Sequence, residues 1–507
     1  MKTKLILILT LLLISSSANS QNKYGNVWVA GGQTIYATNF ISGYPINSIL
    51  DSSTSYFFLG GHSCISDSAG KFILMSDGFS ILDTNGTVID NGYKIVNGLW
   101  DQACQIGAGW LQASLLLPAG NGLYHFINVM PSDSMESLSL GAPMFDNMFY
   151  SLVDMKANNG QGKVVKRMIP LIEHGRMSIT QMTACKHGDG KSWWLLKQAH
   201  DTNMVYSFLL TKDSIFGPFI QGFPEPHFGV WHKVGQSVFT NDGTKYATAI
   251  TQKQIVFVAD FDRCSGQLSN PKSIDIPLTT IWTFDSLVYG VDTTLAGVAF
   301  SSSGRFLYIA RFTSILQLDL WDNNMNTAWD TIAGMDNTPS ASFKGYYSLN
   351  LAPDNKIYVG NWNGGGNQMS VISEPDKKGD SCAFCKKCMV FPIMPNHAVN
   401  VFTPPNMVNY ALGAANPICW PAGVEEVPQE EINVYPNPFE ATLIIQCSHV
   451  QNKTFYLYDS FGKLILTKTI ETNKEQINTA QLSAGLYFYS IVNKNGERVK
   501  AGKMVKE

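Results

Sequence analysis

Six times between residues 63 and 362, a short β-prone run meets a tight turn of Gly, Asn, Asp, Ser or Pro and then a second β-prone run. The clearest case is Gln236 to Thr240, then Asn241-Asp242-Gly243, then Lys245 to Ile250. Asn, Asp and Gly tolerate the positive φ that hairpin turns matching strand twist require. The other five turns are Ser68-Ala69-Gly70, Gly120-Asn121-Gly122, Gly188-Asp189-Gly190, Ser302-Ser303-Gly304 and Pro353-Asp354-Asn355. From 68 to 354 is 286 residues over five intervals, a repeat of about 57 residues. A third strand usually follows (Val205 to Thr211, Gln254 to Phe261, Ile315 to Trp321, Met369 to Ser373), then a shorter fourth, as at Asn158 to Val165, Ile215 to Ile220 and Cys264 to Ile274. Helical periodicity is nearly absent. Four strands per repeat of this length predict an all-β chain whose body, residues 21–419, is a seven-bladed β-propeller. Val27 to Thr38 and Met407 to Leu412 would share the seventh blade and so close the ring. A double β-sandwich is the alternative arrangement of the same strands.

The first twenty residues read as an export signal rather than structure. Lys2 and Lys4 precede the apolar run Leu5 to Ile14, and Ala18-Asn19-Ser20 presents small residues for cleavage between Ser20 and Gln21. The apolar run is too short to span a bilayer, and no later segment is a transmembrane candidate. A net charge of -3, with 36 basic and 39 acidic residues and no block of like charge, argues against nucleic acid as a partner.

Nine cysteines matter because an exported chain meets an oxidising compartment. Cys447 lies near the C-terminus; Cys64, Cys104, Cys185, Cys264, Cys382, Cys385, Cys388 and Cys419 are expected to serve mainly as disulfide cysteines of the body. Eight cysteines allow 105 connectivities, and spacing does not select one. Residues 420–431, with Pro421, Pro428 and clustered glutamates, read as a linker. Residues 432–507 return to short alternating strands and predict a small Ig-like β-sandwich.

That last segment carries the most specific motifs. Asn433-Val434-Tyr435-Pro436-Asn437-Pro438 opens it, and Leu457-Tyr458-Asp459-Ser460-Phe461-Gly462-Lys463 lies in the middle. Ala484-Gly485-Leu486-Tyr487-Phe488-Tyr489 follows, and Gly502-Lys503-Met504-Val505-Lys506 closes it. Together they resemble the type A C-terminal sorting domain of the Bacteroidetes type IX secretion system. The resemblance implies passage through the outer membrane, contact with the secretion machinery and its sortase, and either attachment to a surface lipopolysaccharide or release. Segments of the body are similar to a Bacteroidetes propeller-like surface family: Ile65-Ser66-Asp67-Ser68, Tyr150 to Met155, Lys186-His187 with Trp193-Trp194, Phe261-Asp262-Arg263-Cys264, and Pro405-Asn406-Met407-Val408-Asn409-Tyr410. That likeness supports the fold rather than an activity.

No catalytic constellation emerges. Cys382, Cys385 and Cys388 with Cys419 have the chemistry of a four-thiolate zinc site. Their spacing lacks the paired arrangement, and disulfides tying the last blade to the closing strand fit better. Glu225, His227 and His232 sit in a Pro- and aromatic-rich loop, where they read as rim residues. His187 precedes a hairpin and Asp189 serves its turn. Only six arginines exist, which disfavours a cluster for carboxylated sugars. Aromatics at Trp193-Trp194, Trp231, Trp282, Trp321 and Trp362 read chiefly as wedges between blades, with a minority on loops able to stack on sugars. Asp67-Ser68-Ala69, Asp133-Ser134-Met135 and Asp213-Ser214-Ile215 resemble a short O-glycosylation pattern. No cofactor and no resident metal are expected. The reading is a secreted or surface-attached, non-enzymatic binding protein for a polysaccharide or a surface protein. The alternative is a polysaccharide-acting hydrolase or lyase on the same scaffold.

Overall fold

Several of the predicted turns are closed by a polar side chain of the turn or the residue before it. Asp67 Oδ1 accepts from the amides of Ala69 and Lys71, both at 2.9 Å. Asp189 does the same for Lys191 and Ser192 at 2.7 and 2.8 Å, and Asp242 for Thr244 at 3.0 Å. A side chain that satisfies the turn amides fixes where the chain reverses, and the flanking β-branched and aromatic runs then pair. All six hairpins are antiparallel pairs.

The computed structural model describes residues 22–507 apart from 33, 44, 52–55, 97–106, 132–144, 176, 200–201, 224–234, 252–253, 278–280, 285–286, 292–294, 335–344, 363–365, 394, 396–400, 417, 420–431, 448–452, 460–463 and 494–497. The expected export signal with Ser20 and Gln21, Cys104, the stretch holding Glu225, His227, Trp231 and His232, Asp133 to Met135, the expected linker, Gly462 and Lys463 therefore lie outside the described residues. The chain forms two compact units, Met1–Trp420 and Pro421–Glu507.

Unit one is a succession of small antiparallel meanders. The first has Val27–Gly31, Ile35–Asn39 and Ile46–Asp51, and the second Ser63–Ser66, Phe72–Ser76 and Ile81–Leu82. The third (Ser114–Gly120, Leu123–Pro131, Phe145–Asp154, Lys163–Ile172) joins the fourth (Met177–Lys186, Trp193–Ala199, Met204–Leu210, Ile215–Gly222) through one residue pair, Met177 with Phe145. The fifth is Ser237–Phe239, Lys245–Ile250, Ile255–Phe261 and Leu268–Asp275. A separate hairpin, Ile281–Phe284 with Leu287–Val291, precedes the sixth: Gly297–Phe300, Phe306–Ala310, Ile315–Asp319 and Trp329–Ala333. The seventh is Tyr346–Leu351, Ile357–Asn361, Gln368–Ile372 and Phe384–Val390.

Apolar faces of successive meanders bury each other. Ala247, Val256 and Val258 of the fifth pack with Val298, Leu307 and Leu316 of the sixth. Phe306 and Tyr308 of the sixth pack with Leu349 and Val359 of the seventh. Trp28 and Tyr36 of the first pack with Tyr358 and Met369 of the seventh, and Asn47 Nδ2 donates to Val390 O at 2.8 Å across the same pair. Burying a large apolar side chain stabilises by roughly 1.5–3 kcal/mol, so these seams rather than the turns hold the unit together.

Two expectations fail locally. Met407 to Leu412 is not a strand; the first meander takes Ile46–Asp51 as its third strand instead. The backbone and amides of the 401–413 segment bond to groups scattered over several meanders, which a ladder with one neighbour would not allow. The fourth strand of the third meander begins at Lys163 rather than Asn158. Asn158 and Asn159 adopt left-handed conformations (φ 51° and 55°) and make a short turn first.

In unit two, Ile432–Tyr435, Thr442–Cys447 and Lys474–Asn478 form one sheet. Leu464–Ile470, Lys453–Tyr458, Gly485–Val492 and Arg498–Lys506 form the other. Leu443 and Ile445 from the first sheet share a core with Phe455, Leu457, Ile491 and Met504 from the second.

Candidate functional site

The meander turns of unit one frame a cavity of about 620 Å³. Its wall is built from several stretches. Gln112 and Gln236 come from just before inner strands and Phe239 from a strand end, hairpin turns contribute Asn241 and Asn355, and Trp28 and Phe40 come from the first meander and its edge. The Asn22–Asn26 stretch and the Met407 to Gly413 segment complete it. The lining is rich in side-chain amides, carries Lys23 and Lys186 as cations, and among the described residues includes no Asp, Glu or His.

Two of these wall glutamines, each just before an inner strand, tie the meanders together. Gln112 donates to Ser237 O at 2.9 Å and accepts from Ser237 N at 2.8 Å. Gln236 accepts from Leu349 N at 2.8 Å and donates to Asn350 Oδ1 at 3.3 Å. Asn406 is buried at the same level: its amide donates to Ser114 O at 2.9 Å and Met182 O at 3.3 Å, and its backbone N–H bonds His62 O at 2.9 Å. Each buried polar group left without its partner would cost about 1–3 kcal/mol, so this girdle fixes the cavity floor.

The segment beyond Asn406 is pinned at successive points. Asn409 bonds Asn241, and Tyr410 donates its hydroxyl to Leu116 O at 2.7 Å. Lys186 Nζ donates to Tyr410 O at 2.9 Å while lying over the Trp193 ring. Burial, then the neighbouring Arg263, pushes the Lys186 ammonium down to about 8. Arg263 holds the carbonyls of Lys186, His187 and Gly413. The segment ends in a disulfide between Cys419 and Cys264, with Cα atoms 5.4 Å apart. Gly188 is required beside it, because a Cβ there would meet Cys419 Sγ at 1.9 Å.

The sequence motifs of the body thus converge on anchoring. His187 Nδ1 accepts from Asp189 N at 3.0 Å, a turn contact, and its Nε2 lies 3.2 Å from Cys264 O. Trp193 and Trp194 are buried, whereas Trp321 and Trp362 are exposed. Among the eight body cysteines, Cys264 and Cys419 are paired. Cys64, Cys185 and Cys382 are buried free thiols, and Cys385 and Cys388 are free on the last strand of the seventh meander. Burial pushes the Cys64 and Cys185 thiols up to about 12. Cys419 therefore ties the segment to the fifth meander, not to the Cys382–Cys388 cluster of the seventh. Lys197, fully buried, and the girdle glutamines were not singled out by sequence. Polar residues at or just before the inner strands of successive repeats were the available signal for the glutamines.

In unit two the opening and closing motifs interlock. Asn437 Nδ2 donates to Lys503 O at 3.2 Å, and Asn437 Oδ1 accepts from Val505 N at 2.9 Å. Phe439 N bonds Val505 O at 2.8 Å. Pro436 and Pro438 flank Asn437 just past the end of the opening strand. Tyr487 donates its hydroxyl to Ser483 O at 3.0 Å beside Gly485 and Leu486. Gly502 admits the Tyr489 ring: a Cβ would meet it at 2.6 Å. Gly502→Val is expected to destabilise this unit by about 2–3 kcal/mol, the cost of overpacking. It should also leave the chain in the periplasm, measured by fractionation and immunoblotting; a normally exported variant would separate that glycine from sorting.

No curated protein matches the sequence. Among solved structures, PorZ, described as an essential bacterial surface component of the type IX secretion system of Porphyromonas gingivalis, is 12% identical with a TM-score of 0.29 and covers 94% of this chain and 73% of its own. A Lactobacillus plantarum protein is 12% identical, TM-score 0.38, covering 77% and 98%. A putative 6-phosphogluconolactonase from Bacteroides uniformis is 11% identical, TM-score 0.32, covering 94% and 100%. Likenesses this loose assign neither fold nor function. Among the described residues no helix is long and apolar enough to cross a membrane. Residues 433–507 match the family described as the secretion system C-terminal sorting domain, which marks this chain for type IX export to the cell surface or beyond.

Proposed function

We propose that this chain is a non-enzymatic binding protein, exported through its sorting domain, whose body is a seven-bladed β-propeller that takes a polysaccharide into the amide-lined cavity. The first strands of neighbouring meanders lie against one another around the body, and the last meander packs on the first, as blades in a ring would. The observation that carries the binding role is the cavity wall. Side-chain amides offer a donor and an acceptor together, the arrangement that pairs with sugar hydroxyls, and Trp28, Phe40 and Phe239 supply apolar faces. A glycosidase needs two carboxylates flanking the bond it cleaves, and the described lining presents neither. The division into signal peptide 1–20, body 21–419, linker 420–431 and sorting domain 432–507 is part of the same proposal.

The test is to incubate the mature chain with a panel of polysaccharides, scoring retention and newly released reducing ends together. Retention on one polymer class without new ends is expected. A Lys23→Ala/Asn26→Leu variant, altered only at two lining residues, should weaken that retention about tenfold, or about 1.4 kcal/mol. New reducing ends that persist across preparations would replace this reading with an enzymatic one.

A further inference from the structure

The last strand of the seventh meander, Phe384–Val390, carries Cys-Lys-Lys-Cys at 385–388. In a regular strand, residues three apart point to opposite faces and lie roughly 10 Å apart. Here the strand is bulged. Val371 pairs with Cys385 and Met369 with Met389, so two steps on one strand oppose four on the other. Lys387 takes a left-handed conformation, φ 58°, and its amide bonds Ser370 Oγ at 3.0 Å. The bulge folds Cys388 back until its sulfur lies 3.4 Å from the Cys385 carbonyl oxygen. Burial, and then the adjoining Cys385 thiol, push the Cys388 thiol up to about 11.

Further features separate this pair from the other described free cysteines. Cys388 is exposed and Cys385 half-buried, whereas Cys64, Cys185, Cys382 and Cys447 are buried. The pair lies in basic surroundings, with Lys386 and Lys387 between the sulfurs and Lys356 acting on Cys388. Cys382, though only three residues away, packs in the core with Tyr308 and Tyr346 and is not part of the bulge. A crosslink over so short a loop constrains the unfolded chain far less than Cys264–Cys419, whose cysteines are 155 residues apart. Stability is therefore not the main thing such a pair supplies; exposed disulfides belong to the labile, exchanging class.

We propose that Cys385 and Cys388 form a redox-active dithiol that closes to a disulfide by exchange with an external disulfide. The exposed Cys388 sulfur, as thiolate, attacks one sulfur of the external disulfide, forming a mixed disulfide and releasing one thiolate. Cys385, as thiolate, attacks the Cys388 sulfur, forming the Cys385–Cys388 bond and releasing the second thiolate. The two cysteine thiols lose two electrons and two protons; the external disulfide gains both as two thiols.

The test uses the mature chain, reduced mildly and then equilibrated with oxidised glutathione, alkylated, digested and mapped by mass spectrometry. The expected product links Cys385 to Cys388 with no lasting glutathionyl adduct. Cys385→Ser should trap the intermediate, with a glutathionyl adduct on Cys388 at least tenfold more abundant than in the parent. Cys382→Ser should leave closure unchanged. The Cys385→Ser/Cys388→Ser variant should lower the unfolding midpoint far less than Cys264→Ser/Cys419→Ser does, since so short a loop removes little entropy from the unfolded chain. The proposal is overturned if both sulfurs remain fully alkylatable, if either links instead to Cys382, or if the reduced chain holds one zinc ion that blocks closure. The parent mapping decides the matter even where a variant fails to fold.

Discussion

Replacing Cys264 and Cys419 together with serine is expected to lower the unfolding free energy of the body by about 3–5 kcal/mol. Closing a loop of this length removes about 17 cal/mol/K of chain entropy from the unfolded state, or about 5 kcal/mol at room temperature, for the observed separation of 155 residues. Residual structure in the unfolded chain brings the expected value below that ceiling. The effect has a local component as well. The disulfide terminates the segment whose Asn406 completes the polar girdle and whose Met407 to Gly413 stretch walls the cavity. Chemical denaturation should show the lower midpoint, and limited proteolysis should cut within 401–419 in the variant well before it cuts the parent. Polysaccharide retention should fall with it. A variant that resists protease like the parent and loses less than about 1 kcal/mol would mean that Arg263, Lys186 and Tyr410 hold the segment unaided.

What the sequence revealed about this region, and what it did not, follows from the range of the interactions. The hairpins were legible because an Asp, Asn or Gly turn satisfies its amides within four residues; Asp67 and Asp189 do so as expected. The third strands were legible for a similar reason, since each follows its hairpin by a short connection. The course of residues 401–419 was not. Its partners, Ser114, Met182, Lys186, Asn241 and Cys264, are 155 to 292 residues away in sequence. Apolar residues in Met407 to Leu412 mimic a strand, and only the meeting of three separate meanders decides otherwise. The cavity was invisible for the same reason: its amides come from five stretches with no shared motif. The sorting motifs were legible as a pattern, yet the reciprocal bonds between Asn437 and the Lys503–Val505 backbone emerge only in the fold.

Lys197→Met is expected to stabilise the body, by about 2–3 kcal/mol near pH 6. Lys197 is fully buried, and its ammonium donates to Thr180 O with no carboxylate partner among the described residues. Burial alone pushes it down to about 7. The unfolded chain holds the same proton until about 10.4. Between those values the unfolded state binds more protons, so the parent's stability from this residue rises with pH across that window, by about 1.4 kcal/mol per unit at most. Below about pH 7 the lysine is charged in both states and its full cost is present. Methionine removes that cost while filling the same space, and Thr180 O keeps the Ser178 hydroxyl at 2.8 Å, so no acceptor is orphaned. The gain should therefore be largest at pH 6 and shrink steadily toward pH 10. Lys197 does not line the cavity, so polysaccharide retention should be unchanged in the variant. Urea denaturation at pH 6, 8 and 9.5 on parent and variant gives the difference directly, with other titrating groups cancelling. A gain that is independent of pH would show that Lys197 stays charged in the fold across the whole range, and a loss would show that its bond to Thr180 outweighs the burial of its charge.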